Sequence, residues 1–167
     1  PPSRKHLPMS FDVSLFGDHL MRLVVAALAG CALGLDRELS HRWAGLRTHM
    51  LVSGGAALFI MLADTISNGD RDAVARVVAG IATGIGFLGA GTILKQSDRE
   101  QIKGLTTASS IWFAAGLGSV AGFGRYELLV AGTIMALVVL IALKPISNAI
   151  GDAGKHDDAA KSENPKT

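Results

Sequence analysis

The sequence predicts an all-α polytopic transmembrane bundle with five spans, and four spans is the alternative. Five apolar stretches predict it, at 20–35, 50–66, 74–94, 105–123 and 128–143. Charged residues make up 18% of the chain, against about 25% in a soluble domain. The mean hydropathy is +0.38. Because the charges gather between the stretches, we expect lipid to be the solvent of this chain.

Each stretch qualifies as a span by its length. A spanning helix needs roughly 20 mainly apolar residues, which the third and fourth stretches supply directly. The first, second and fifth extend into their flanks, the first of them back to Ser14. No small-residue cleavage site precedes Asp36, so a signal peptide is rejected. We predict an N-terminal tail over 1–13, a membrane domain over 14–146 and a disordered polar tail over 147–167.

Orientation follows from the Lys and Arg residues outside the spans. With five spans, ten of them fall on one side of the membrane and four on the other. The basic side faces the cytoplasm in membrane proteins. We therefore expect the N-terminus outside and the C-terminus in the cytoplasm, on the same face as the first and third connections.

The first connection is the densest run of ionisable residues in the chain, and such groups at a membrane indicate function. We predict a paired network beneath the third connection, formed by Asp36, Arg37, Glu38, Arg42, Arg47 and His49, with Thr48 beside them. Loss of a partner leaves a costly charge. Arg47→Ala is therefore expected to impair assembly or function more than Arg99→Ala.

Metal binding at this connection is a weaker interpretation. Asp36 and Glu38 could meet Mg²⁺, which binds through one or two carboxylates and waters. However, Glu38 and Arg42 are spaced i, i+4 in the order that favours a helix ion pair. We therefore predict no resident metal or cofactor, with Mg²⁺ as the one candidate cation.

Glycine is the second feature of the sequence, with thirteen of twenty glycines inside the five stretches. Three Gly-x-x-x-Gly motifs begin at Gly30, Gly80 and Gly118, and small residues on one face let membrane helices approach closely. Packing inside one bundle is favoured over a homodimer seam, and both can hold together.

A run from Gly84 to Gly91 matches a dinucleotide fingerprint by letter. It lacks the strand before it and the acid after it, so nucleotide binding is rejected. A tightly packed or locally broken helix is predicted instead, and broken helices bind ions in transporters. The candidate residues for helix packing or an ion path are Gly80, Gly84, Gly86, Gly89, Gly91, Thr106, Thr107 and Trp112.

Other function classes lack their signatures. No nucleophile elbow, Walker loop, His-Glu-x-x-His or paired-cysteine spacing occurs, so an enzyme is not expected. The net charge of +2, without a basic stripe interleaved with aromatics, gives no reason to expect nucleic acid as a partner.

Three blocks of the sequence resemble the MgtC/SapB family of membrane proteins. They are Asp36-Arg37-Glu38 through His49, the glycine run that ends at Gly91, and Gly104-Leu105-Thr106-Thr107-Ala108 with Ile111-Trp112. The resemblance covers roughly residues 20–143. It implies a bacterial inner-membrane protein linked to magnesium homeostasis and, in pathogens, to virulence. Longer members carry a soluble domain after the last helix, so we expect a short form without it.

The resemblance and the residues together leave three hypotheses. A non-enzymatic regulator of a membrane partner is favoured; the family resemblance suggests the rotary ATP synthase as that partner. A magnesium or other cation transporter or channel is the alternative. An intramembrane enzyme comes third, because neither its nucleophile nor its base is found in the sequence.

Overall fold

A bundle of five helices forms from residues 12–95 and 102–143, the part of the chain that the computed structural model describes. The helices are α1 Val13–Leu39, α2 Leu46–Ser67, α3 Arg71–Ala90, α4 Leu105–Gly122 and α5 Tyr126–Leu137, which continues as a π-helical turn, Val138–Ala142. Two residues of β1, Leu94–Lys95, pair antiparallel with β2, Ile102–Lys103, between α3 and α4. The helical fold class is confirmed, with this short pairing added. Both predicted tails lie largely outside the described residues.

Successive helices run in opposite directions, so the connections gather at two ends of the bundle. The described parts of the first and third connections lie at one end, called here the Arg37 end, where Gly34 packs on Leu46 and His49 bonds to Ser110. The second and fourth lie at the other, called the Arg22 end. This arrangement agrees with the predicted pairing of the first and third connections on one face.

Local chemistry explains where the helices begin and end. Asp12 accepts hydrogen bonds from two N–H groups in the first turn of α1, and Asp70 does the same for α3, as N-cap side chains do. At the end of α1, His41 adopts a φ of 50°. The N–H of Arg42 then bonds to the carbonyl of Arg37 at 3.0 Å. This is a Schellman ending with His41 in the position that usually holds glycine.

Helix α4 is the centre of the bundle and contacts α1, α2, α3 and α5. Its buried residues are mostly small or hydroxyl-bearing, including Ala114, Gly118, Ser119 and Ala121. Small residues let the backbones of membrane helices approach closely, and a helix that contacts four others needs them on several faces. The burial of α4 therefore explains why it carries more small and hydroxyl residues than its neighbours.

Three helices, α1, α2 and α3, are long and apolar enough to cross a membrane. The helix Tyr126–Ala142 is apolar but shorter. Large apolar side chains cover the outside of the bundle, among them Leu28, Leu51, Phe59 and Ile134. That surface suits lipid better than water. A total of five spans and the orientation of the termini stay predictions.

Two of the three Gly-x-x-x-Gly motifs pack inside the bundle, as predicted. A Cβ on Gly34 would lie 2.8 Å from the Cα of Leu46, and one on Gly122 would lie 2.7 Å from the carbonyl oxygen of Ala57. The third motif is different, because a Cβ on Gly80 or Gly84 would meet nothing within 4 Å. Tight packing was therefore the wrong expectation for these two glycines.

Candidate functional site

The first connection contains a buried ion pair between adjacent residues at the end of α1. Arg37 is 5% exposed, and its Nε and Nη2 donate to Oδ2 of Asp36 at 3.0 and 2.7 Å. Neighbouring side chains on a helix normally point apart, but the long arginine side chain folds back onto the carboxylate. Both charged groups are shielded from water, so each needs the other to compensate its charge.

Glu38 performs a capping role rather than the predicted pairing with Arg42. Because α1 ends at Leu39, Glu38 and Arg42 do not occupy successive turns of one helix, and no ion pair joins them. Instead, Oε2 of Glu38 accepts the N–H of Leu46, at 3.1 Å, in the first turn of α2. A carboxylate at this position also suits the positive end of the helix dipole.

Gly45 makes this capping arrangement sterically feasible. It is the N-cap residue of α2 and has no side chain to cap the helix with. A Cβ built at Gly45 would collide with Oε2 of Glu38. The carboxylate of α1 thus occupies the space of the missing side chain and supplies the missing acceptor.

His49 joins the start of α2 to α4. It is fully buried, and its Nδ1 lies 2.8 Å from the carbonyl oxygen of Gly45. Since a carbonyl only accepts, Nδ1 donates, and in the neutral ring Nε2 is left as an acceptor. Nε2 lies 2.9 Å from Oγ of Ser110. That hydroxyl also lies 2.8 Å from the carbonyl oxygen of Thr107, so its single proton has two acceptors.

The remaining cluster residues face outward. Arg42 and Arg47 are exposed, and Thr48 is half-buried. Neither arginine forms a side-chain hydrogen bond or ion pair with any residue between positions 12 and 95 or 102 and 143. The predicted network is therefore realised in part, as an ion pair, a helix cap and a histidine bridge. Arg99 lies outside the described residues.

The predicted packing or ion-path residues occupy three kinds of position: packed, exposed and at a helix cap. Gly89 packs on Ala108, and Thr107 is buried at the histidine bridge. Gly86, Thr106 and Trp112 are exposed, and Gly91 caps the C-terminus of α3. Helix α3 runs unbroken to Ala90, so the alternative of a locally broken helix was wrong.

Gly80 and Gly84 line an open groove of about 530 Å³ between α2 and α3. Leu51, Gly55, Phe59 and Val77 form its other walls. The groove is apolar and opens to the outside of the bundle.

Sequence reasoning missed a polar contact at the Arg22 end. Nη1 of Arg22 donates to the carbonyl oxygen of Gly122 at 2.9 Å, and its Nε lies 2.8 Å from Oδ2 of Asp18. A cation is favourable at the C-terminal end of a helix such as α4. The i, i+4 spacing of Asp18 and Arg22 was the available signal for this site.

The carboxylates proposed as weak magnesium ligands are both engaged within the bundle. Asp36 pairs with Arg37, and Glu38 bonds to the N–H of Leu46. Within the described ranges, no group of three or more His, Cys, Asp or Glu residues is positioned to hold a metal ion.

Comparison with known proteins extends these observations to a family. The model of the MgtC family matches residues 23–149, which include the ion pair, the cap and the histidine bridge. This chain belongs to the MgtC family. The MgtC match confirms the resemblance that the three sequence blocks indicated.

Several MgtC-family relatives are similar over most of this chain. Protein SrpB of Synechococcus elongatus is 43% identical over 134 residues, covering 74% of this chain and 73% of SrpB. Protein MgtC of Salmonella typhimurium (strain LT2) is 39% identical over 132 residues, covering 79% of this chain and 55% of that protein. The Escherichia coli (strain K12) protein named "Putative magnesium transporter YhiD" is 42% identical over 132 residues, covering 74% and 59%.

This chain thus spans less than two thirds of the length of MgtC and of YhiD. No solved structure matches it.

Proposed function

We propose that this chain is a non-enzymatic, multi-pass protein of the bacterial inner membrane that regulates a membrane partner. The rotary ATP synthase is the candidate partner, and the setting is adaptation to low magnesium or survival in host cells. Membership of the MgtC family and the name of YhiD support the link with magnesium. The Arg37 end faces the cytoplasm in this proposal, because the basic connections lie there.

The observation that carries the proposal is the state of two buried hydroxyl groups, those of Ser53 and Ser119. Ser53 donates to the carbonyl of Ala26 at 2.7 Å, and Ser119 donates to that of Ala115 at 2.9 Å. A cation path needs oxygen atoms that face an open route. These hydroxyls instead bond to backbone carbonyls in a centre filled by glycine contacts. Such an interior favours a regulator over a carrier.

The surface proposed for the partner is the groove between α2 and α3. Helix α3 contributes two buried residues, Val74 and Gly89, so most of its apolar surface is unused within the bundle. Close backbone approach through small residues drives helix association in lipid. A transmembrane helix of the partner would therefore pack over Gly80 and Gly84.

The test combines partner capture with ion flux. Gly84→Leu would fill the groove, and its Cβ would have no neighbouring atom within 4 Å; Gly54→Leu is the matched control on α2, where a Cβ also meets nothing within 4 Å. We expect crosslinked capture from native membranes to recover ATP synthase subunits with the wild type and Gly54→Leu, and to lose them with Gly84→Leu. Purified protein in liposomes should show no magnesium flux.

A magnesium transporter is the second candidate, and one further observation favours it. A cavity of about 340 Å³ lies between α4 and α5 and is lined in part by Thr106, Ser109 and Ser110. Magnesium flux that Ser109→Val reduces, without any co-purifying partner, would establish transport and refute the regulator.

A further inference from the structure

The charges at the Arg37 end are unequally compensated. The two acidic residues of the first connection are used inside the bundle, Asp36 by Arg37 and Glu38 by the N–H of Leu46. Arg42 and Arg47 are exposed and unpaired within the described ranges. Within the described residues, the first connection therefore presents uncompensated positive charge at Arg42 and Arg47.

A large aromatic residue stands between these two arginines. Trp43 is 86% exposed, and Leu39, the last residue of α1, is 74% exposed. Tryptophan is enriched where the headgroups of a bilayer meet its hydrocarbon, because its ring is apolar and its N–H is polar. The exposed apolar side chains thus place the connection at that boundary.

The backbone places the three residues on one short connection. Arg42 and Trp43 follow directly after the Schellman ending of α1, and Arg47 lies in the first turn of α2. The bond from Leu46 to Glu38 closes the connection between them. Arg47 also sits at the helix end where the dipole favours an anion, so an external negative group is favourable there.

We propose that Arg42, Trp43 and Arg47 form a binding surface for the phosphate of an anionic phospholipid headgroup. The arginines contact the phosphate, and the indole ring of Trp43 lies at the level of the ester groups. Guanidinium groups match phosphate geometry by paired hydrogen bonds. The proposal requires insertion in a membrane and holds whether the chain regulates a partner or carries an ion.

The test uses Trp43 as a fluorescent reporter in the full chain carrying Trp112→Phe, which removes the other tryptophan. The protein is placed in vesicles of phosphatidylcholine with a minor fraction of phosphatidylglycerol. An equal amount of one lipid or the other is brominated, and quenching of Trp43 is compared. We expect brominated phosphatidylglycerol to quench more strongly. Equal quenching by both lipids would overturn the proposal.

Variants of the two arginines test whether they cause the preference for phosphatidylglycerol over phosphatidylcholine. Arg42→Gln/Arg47→Gln should lower it by about fivefold for each arginine, the effect of one basic residue near an anionic surface. Arg71→Gln/Arg76→Gln, two exposed arginines near the Arg22 end, should leave it unchanged, and Arg42→Lys/Arg47→Lys should retain most of it. A preference that survives the glutamine pair would refute the assignment.

Inorganic phosphate distinguishes the lipid from a free anion. At matched ionic strength, phosphate should weaken the preference no more than chloride does, because both act by screening. A stronger effect of phosphate would mean that the surface takes the free anion, and the lipid proposal would be wrong.

Discussion

The carboxylate of Glu38 at the end of α1 caps the start of α2 by accepting the N–H of Leu46 at 3.1 Å. The cap and the turn at His41 together close the first connection. This contact explains why the family signature has a glutamate at position 38 and a glycine at position 45. The glutamate supplies the acceptor, and the glycine at position 45 leaves room for it.

Glu38→Ala is expected to lower the free energy of unfolding by ~0.5–2 kcal/mol, the cost of losing an N-cap acceptor. Thermal unfolding of the purified protein in detergent measures this loss. Asp64→Ala is the control, because Asp64 is an exposed carboxylate whose side chain forms no hydrogen bond or ion pair within the described residues. Equal melting temperatures for the two variants would contradict the cap.

Gly45→Ala is expected to act through Glu38, because the new Cβ would displace its carboxylate. We therefore expect the loss in the Gly45→Ala/Glu38→Ala double variant to be smaller than the sum of the two single losses. The same unfolding assay gives all four values of the cycle. Strict additivity would show that the two positions act separately.

Arg37→Ala should be the most damaging single change in the first connection. It strands the buried carboxylate of Asp36, and breaking a buried pair from one side costs about 3–5 kcal/mol. Arg47→Ala should change stability by less than ~0.5 kcal/mol, as exposed substitutions do. This ranking replaces the expectation from sequence, which placed Arg47 in the network. Comparable losses for the two variants would contradict it.

Ser110→Ala tests the bridge between α2 and α4. Removing the hydroxyl leaves Nε2 of His49 buried without its partner, at a cost of about 1–3 kcal/mol. The neighbouring Ser109→Ala removes an exposed hydroxyl that bonds within its own helix, so it should be nearly neutral. Chemical denaturation in mild detergent compares the two. A neutral Ser110→Ala would show that the bridge contributes nothing.

Substitution by alanine should change stability in opposite directions at Gly118 and Gly84, although both belong to Gly-x-x-x-Gly motifs. Gly118→Ala would drive a Cβ into the backbone of Ser53, and such overpacking costs about 1–3 kcal/mol. Gly84→Ala meets open space and should stabilise α3 by ~0.5–1 kcal/mol through its higher helix propensity. Melting temperatures that shift in opposite directions would support this difference. A loss in both would place Gly84 inside the bundle.

Apolar length and glycine spacing were sufficient to predict the helices and two of the three packed motifs. They act locally or along one helix face, so a single sequence reveals them. The pairing of the third motif depends on which neighbour faces it, and that is a property of the tertiary arrangement. Gly80 and Gly30 have the same local pattern, yet only Gly30 would collide with a neighbouring backbone if it gained a Cβ.

The sequence predicted which residues form the candidate site, but it did not predict which residues they contact. Sequence identified Asp36, Glu38 and His49 as a set, whereas their partners depend on where α1 ends. The Schellman turn at His41 ends α1 before Arg42. Glu38 therefore caps α2 and does not form the expected ion pair with Arg42. Ser110 is 61 residues away from His49 in the chain, and no local pattern links them.

The bond between Arg22 and Gly122 has a consequence for biosynthesis, since its two residues are 100 positions apart. Translation delivers the first helix to the insertion machinery long before the acceptor carbonyl has been made. During that interval Asp18, one turn away, is the neutralising group at hand for the guanidinium. In the finished bundle the guanidinium keeps that contact and also bonds to the fourth helix, so it joins the oldest segment of the nascent protein to a newer one.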